Sequence, residues 1–153
     1  MDNSLMQDFL VNNGLVALFV LSFLAATIIP IGSEWLLVVL LLGNGGPVEI
    51  VAVATLGNYL GACTTYLIGI WGSDFIVHNV LRIKDRDMVR AETLYEKYGY
   101  YSLLFSWLPV IGDPLCLIGG IFRINFILFS VLVFFGKLAR YTTLAFVTTK
   151  AVM

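Results

Sequence analysis

A chain of 153 residues that is 59% hydrophobic and only 12% charged, with a mean hydropathy of +0.93, lies far from soluble domains, which are roughly half apolar and about a quarter charged. The composition predicts a single-domain integral membrane protein. A net charge of −1 gives no general pull toward nucleic acid, and one histidine, two cysteines and no CxxC, HExxH or P-loop spacing point away from a metal centre or other cofactor.

The N-terminal stretch MDNSLMQDFLVNNG carries Asp2 and Asp8 but no Lys or Arg. It lacks the basic region of a secretory signal, so the first apolar stretch is expected to stay as structure. That stretch, Leu15 to Leu42, holds a single charge, Glu34. It is too long for one plain span and too short for two with a loop. Pro30, Gly32 and Glu34 cut it into arms of roughly 15–29 and 35–43, with Ser33 also at the tip. A second block, Val48 to Trp71, fits one span. Within it, Gly57 and Gly61 form a GxxxG step for close helix packing, and Asn58 and Thr65 are placed to face a polar chamber.

The connector 72–98 is polar. Met88, Ala91, Tyr95 and Tyr98 recur at helical spacing, with Asp85 as a cap and Gly99 as a stop. The pattern predicts a short amphipathic helix at the membrane surface; a solvated linker helix is the alternative. Arg82, Lys84, Arg86, Arg90 and Lys97 place this connector on the cytoplasmic side. His78 is assigned no role, and Cys63 and Cys116 are expected to be packing residues.

The third apolar block, Gly99 to Phe122, is broken at Asp113 by Pro109, Gly112 and Pro114 into arms too short to span. The fourth, Phe126 to Val147, fits one span and carries Lys137 and Arg140 three residues apart, on one helix face. Two readings of these cations stand side by side. They neutralise Glu34 and Asp113, or they snorkel to an interface. Depth along the helix favours a site role for Lys137 and a reach to the far side for Arg140.

A shift of 79 residues lays the chain on itself: Pro30 falls on Pro109, Glu34 on Asp113, Gly57 on Gly136, Thr64 on Thr143, Thr27 on Ser106 and Leu36 on Leu115. An intramembrane carboxylate costs about 2.5–3.5 kcal/mol on insertion scales unless it faces a cavity or a partner, so two acids at matching helix breaks are expected to be placed for use. The predicted fold is all-α, with two inverted repeats (15–71 and 99–149). Each is a re-entrant helical hairpin followed by a transmembrane helix, with the cytoplasmic amphipathic helix between them.

At TIIPIGSEWLLV (27–38), GNYLG (57–61), YGYYSLLFSWLPVIGDPLCLIGGIFRI (98–124) and GKLARY (136–141) the chain resembles the DedA/VTT-domain superfamily, specifically its small YqaA-like bacterial branch. The resemblance covers nearly the whole chain. It implies opposed re-entrant hairpins, a bacterial inner-membrane location, and a group linked to lipid flipping or scrambling and to transport driven by the proton-motive force. Glu34 and Asp113 carry over as the acids of the two hairpins. Typical members carry arginines three residues before and three after the second proline; this chain has Ser106 and Gly112 there, which removes the natural grip for a lipid phosphate.

These readings favour a small transporter or lipid translocase. Glu34 and Asp113 would carry protons, and Lys137 and Arg140 would hold an anionic headgroup. Its partners would be membrane lipids and protons, with homo-oligomer formation left open. The alternatives are an intramembrane acid hydrolase, for which VIGD lacks the first glycine of GxGD, and a non-catalytic assembly protein whose hairpins only pack.

Overall fold

The computed structural model describes residues 3–27, 32–43, 46–72, 84–108 and 111–152. Every regular element among them is helical: α1 (Asn3–Ala25), α2 (Glu34–Leu42), α3 (Pro47–Trp71), α4 (Asp85–Tyr98), a 3-10 segment (Gly99–Trp107), α5 (Gly112–Ile121) and α6 (Phe126–Val152). Two of them are long and apolar enough to cross a membrane, Pro47–Trp71 and Phe126–Ala151. At 1.5 Å per residue α3 and α6 run about 37 and 40 Å, whereas α2 and α5 run about 14 and 15 Å. The hydrocarbon core is about 30 Å thick, so the short pair cannot cross it.

α1 begins well before residue 15, where the hydropathy pattern starts its first arm, because no proline interrupts residues 3–25 and helix propagates once nucleated. Its apolar part is still only Asn13–Ala25. α3 starts with Pro47, whose missing N–H costs nothing in a first turn.

Side-chain contacts give the direction of each helix. Gly57 faces Phe19 and Ser22, Gly61 faces Phe23 and Ala26, and the Thr65 hydroxyl donates to the Ala26 carbonyl at 2.8 Å. Rising along α3 therefore means rising along α1, and the two run parallel. Between them α2 turns back, so that Leu40 lies on Gly14. In the second half, Gly112 meets Ser106 and Gly119 meets Leu103, so α5 runs antiparallel to the 3-10 segment. α5 is also antiparallel to α6, through Asp113 with Lys137 and Gly119 with Phe129. α3 and α6 run antiparallel to each other. The Tyr59 hydroxyl meets Ser130 at 2.9 Å and its ring meets Phe134, while Tyr66 lies against Phe126 and Phe129 and bonds the Ile124 carbonyl.

The GxxxG step is used as predicted. A Cβ on Gly57 would lie 2.5 Å from the Phe19 carbonyl oxygen, so only glycine lets α1 and α3 come this close. Further along α3 a second contact of this kind was not singled out in the sequence. Gly69 lies on the Leu117 carbonyl and Gly120 on the Tyr66 carbonyl, locking α3 to α5.

α4 forms where the apolar spacing places it, and Gly99 ends it at φ 60°, ψ −145°, backbone that a side chain would strain. Two details differ from expectation. The cap position is Lys84, with Asp85 and Asp87 in the first turn, where acids suit the helix dipole. The apolar face is also turned onto the protein: Ala91 is fully buried, Met88 and Leu94 pack on the same core cluster, and the Tyr95 ring stacks on Phe122 at 4.7 Å. The small side chain at position 91 is what lets α4 dock on α5 and the 3-10 segment. Cys116 is a core residue, Cys63 packs at its edge, and both are free thiols, in keeping with a packing role. His78 and most of the connector before α4 lie outside the described residues.

Candidate functional site

α2 and α5 each begin at an acid. Glu34 and Asp113 stand in their first turns, where free backbone N–H groups and the positive end of the helix dipole favour a carboxylate. Pro114 follows Asp113 inside the first turn of α5, where a missing N–H breaks no helical bond.

α6 supplies the counter-charges. Lys137 Nζ lies 3.4 Å from Asp113 Oδ1 and donates to it. Arg140 Nη2 pairs with Glu34 Oε1. The two cations are three residues apart, about 4.5 Å of helix rise, so both acids are drawn to adjacent turns of one helix face. Of the two readings, the geometry matches the neutralising one: each cation lies on an acid, Arg140 on Glu34 and Lys137 on Asp113. Counting residues gave the depth of Arg140 along α6, but the start of α2 lies at that same depth. The pairs are unequal: the Lys137 side chain is 2% exposed against 33% for Asp113, while Arg140 and Glu34 are 22% and 27% exposed.

A further contact ties the first pair of elements together. The hydroxyls of Ser33 and Tyr141, both buried, are 2.8 Å apart. Two consecutive residues of α6 thus clasp two consecutive residues at the start of α2: Arg140 with Glu34, and Tyr141 with Ser33. Tyr141 was missed in the sequence, although its place beside Arg140 was a usable signal. The position matching Ser33 in the second half is Gly112, which has no side chain to offer, so Asp113 is held by one clasp only.

The remaining candidates divide. Gly112 is buried against the Ser106 carbonyl, and Gly136 sits beside Ser106 Oγ and the Leu104 carbonyl. Ser106 and Gly112 are packed directly on one another, so a side chain at 112 has no room. Gly32 is exposed beside the Glu34 carboxylate. Pro30 and Pro109 lie outside the described residues. Asn58 is not on either ion pair. Its amide nitrogen donates to the Ser22 carbonyl at 3.2 Å, because the glycines on either side draw α1 within reach. Thr65 likewise bonds α1.

Fold and site define a small all-helical membrane protein, with two spanning-length helices and two short helices that begin at intramolecular ion pairs. Its sequence matches the VTT domain over residues 8–150, and the chain belongs to that family, the DedA proteins. An uncharacterized protein of Haemophilus influenzae is 40% identical over 150 residues, covering 93% of this chain and 92% of the relative. The inner membrane protein YqaA of Escherichia coli, and that of Shigella flexneri, are 38% identical over 143 residues, covering 91% of this chain and 94% of theirs. The chain is accordingly a YqaA-like protein of the bacterial inner membrane. No solved structure matches it.

Proposed function

We propose that the protein is a small membrane transporter of the DedA/VTT type, a lipid flippase or scramblase or a proton-coupled carrier. In this reading Glu34 and Asp113 sit at the tips of two opposed re-entrant hairpins, and α3 and α6 cross the bilayer. The observation that carries it is the pair of salt bridges on adjacent turns of α6, each reaching the first residues of a helix too short to cross. A spanning protein needs neither the charges nor the breaks for stability, and buried ion pairs are poor stabilisers compared with apolar packing.

Helix directions support the inverted-repeat reading. Shifted by 79 residues, α2 falls on α5 within a residue at each end, and α3 and α6 start at matching positions. In each half the first arm runs parallel to the long helix and the short helix turns back. The two long helices run antiparallel, as inversion requires. The exchange also preserves packing: α3 holds α5, and α6 holds α2. On this topology the connector with α4 is cytoplasmic, and the ion pairs lie near mid-membrane. Opening either pair frees a cation for an anionic headgroup and a carboxylate for a proton. The acid-hydrolase alternative needs the two acids on each other; each instead rests on its own cation.

The test is the full chain reconstituted in liposomes, assayed for movement of labelled anionic lipid and for proton flux. Charge-paired neutral variants, Asp113→Asn with Lys137→Met and Glu34→Gln with Arg140→Met, avoid leaving a charge unpaired. Both activities are expected in the wild type and absent from the variants. Wild-type rates in both variants rule the proposal out and leave the pairs a structural role.

A further inference from the structure

Six buried side-chain oxygens among the described residues have no hydrogen-bond partner; besides Asp87 Oδ1 on α4 they are five, Ser22 Oγ, Thr55 Oγ1, Asn58 Oδ1, Ser102 Oγ and Ser106 Oγ. All five residues are at most 5% exposed. Helices offer serine and threonine a ready partner in the carbonyl one turn back, and Thr64, Thr143, Thr148 and Thr149 each take it. The other buried threonines are also satisfied, Thr27 on α1 carbonyls and Thr65 on the Ala26 carbonyl. Thr55 is the exception among them, so its hydroxyl is turned away from its own helix.

Position makes the five a set. Ser22 and Asn58 touch across α1 and α3, and Thr55 lies one turn from Asn58 on the same face. Tyr59 is level with Ser130 and Phe134, while Ala54 shares a core cluster with Tyr141. Thr55 therefore stands at the height of Lys137. On the 3-10 segment, Ser106 Oγ borders Gly136, next to Lys137 in sequence. Ser106, Thr55, Asn58 and Ser22 thus fall near the level of the Asp113–Lys137 pair, whose carboxylate is the more open partner, and Ser102 continues the row along the 3-10 segment toward the level of Phe129.

We infer that these oxygens line a hydrated passage that carries protons to Asp113. Buried polar groups that find no protein partner are satisfied by water. Water also fits the chemistry of this set: it accepts from the hydroxyls of Ser22 and Thr55 and donates to the amide oxygen of Asn58. A bound monovalent cation serves the amide oxygen but leaves the hydroxyl protons with no acceptor. A proton passed along such waters ends on the carboxylate, converting Asp113 from anion to acid with release of water. The Lys137 ammonium then has no counter-charge. This inference rests on the transport reading above for its use, but the hydration can be measured independently.

The experiment has two arms on the reconstituted full chain. In a background with Cys63→Ala and Cys116→Ala, single variants Thr55→Cys and Ser106→Cys are exposed to a small water-soluble methanethiosulfonate, with Ala54→Cys in the apolar cluster as the dry control. Labelling at 55 and 106 is expected at least about tenfold faster than at 54. Equal, slow labelling at all three overturns the passage, whatever the transport assay shows. In the second arm an imposed pH gradient drives proton entry read by an internal dye. Thr55→Val together with Ser106→Ala is expected to lower the flux at least about tenfold, and Thr55→Ser to retain it. Fast labelling with undiminished flux in the double variant, or flux that requires sodium, overturns proton delivery by this route. Fast labelling with no flux in the wild type overturns it too, and takes the proton-coupled form of the transport proposal with it.

Discussion

Asp113→Asn removes one charge from the most buried ion pair in the described protein. Lys137 is 2% exposed and ranks among the largest fully buried side chains, so the orphaned ammonium is left buried without its counter-charge. Breaking a buried pair in this way costs about 3–5 kcal/mol. The lysine can escape by shedding its proton, which at pH 7 costs an ordinary lysine about 4.6 kcal/mol; the loss is therefore bounded near that value. Lys137→Met leaves a carboxylate that is one-third exposed, and the expected loss is smaller, about 1–3 kcal/mol. The double variant puts an amide beside a thioether of nearly the same length and is expected within about 1 kcal/mol of wild type. The coupling energy is then at least about 3 kcal/mol. Reversible denaturation of the four proteins in mixed micelles measures it. A loss below about 1 kcal/mol for Asp113→Asn, or additive effects in the double variant, refutes a buried ion pair at this position.

Three further substitutions probe the frame around the site. Gly120→Ala pushes a Cβ onto the Tyr66 carbonyl, which is backbone and cannot yield; a loss of about 3 kcal/mol or more is expected in the same denaturation assay, and a neutral result rules out the close α3–α5 contact. Gly99→Ala meets nothing within 4 Å but must hold φ 60°, so it is expected to cost about 1–3 kcal/mol through backbone strain alone; no loss means that the turn relaxes. Tyr141→Phe removes the partner of buried Ser33 and is expected to cost about 1–2 kcal/mol, with Tyr141→Phe/Ser33→Ala recovering part of it. Full additivity of that pair speaks against the clasp.

The acids were legible in the sequence because a charge inside an apolar run has few excuses, and the cations opposite them for the same reason. The internal shift of 79 residues anticipated which helices would match, since the break, the acid and the next helix keep their spacing. Partners were harder to read. Asn58 is polar and sits in the GxxxG step, yet the same glycines that marked it as placed also bring the Ser22 carbonyl near enough to occupy it. The depth of Arg140 could be counted, but the depth at which α2 begins depends on a turn that no periodicity specifies. The docking of α4 turned on Ala91, a residue too small to stand out in a hydropathy pattern. The Gly69–Gly120 contact joins residues from different halves, and nothing in either segment names the other.

The two halves place their short helices and the starts of their long helices at matching positions but differ in charge, and the difference falls on the long helices. The positions of α3 that correspond to Lys137, Arg140 and Tyr141 hold Asn58, Gly61 and Ala62. On α3, Asn58 and Gly61 meet α1 and Ala62 packs in the core with α5 and α6; on α6 the matching residues make three polar clasps that reach both short helices. A symmetric device would give each acid a cation from its own or the opposite half. Here a single helix, α6, holds both acids, while α3 is packed through its glycines against α1 and α5. Beside the Arg140–Glu34 pair stands the Tyr141–Ser33 contact, whereas Asp113 has Lys137 alone, a difference that follows from Ser33 at one position and Gly112 at the matching one.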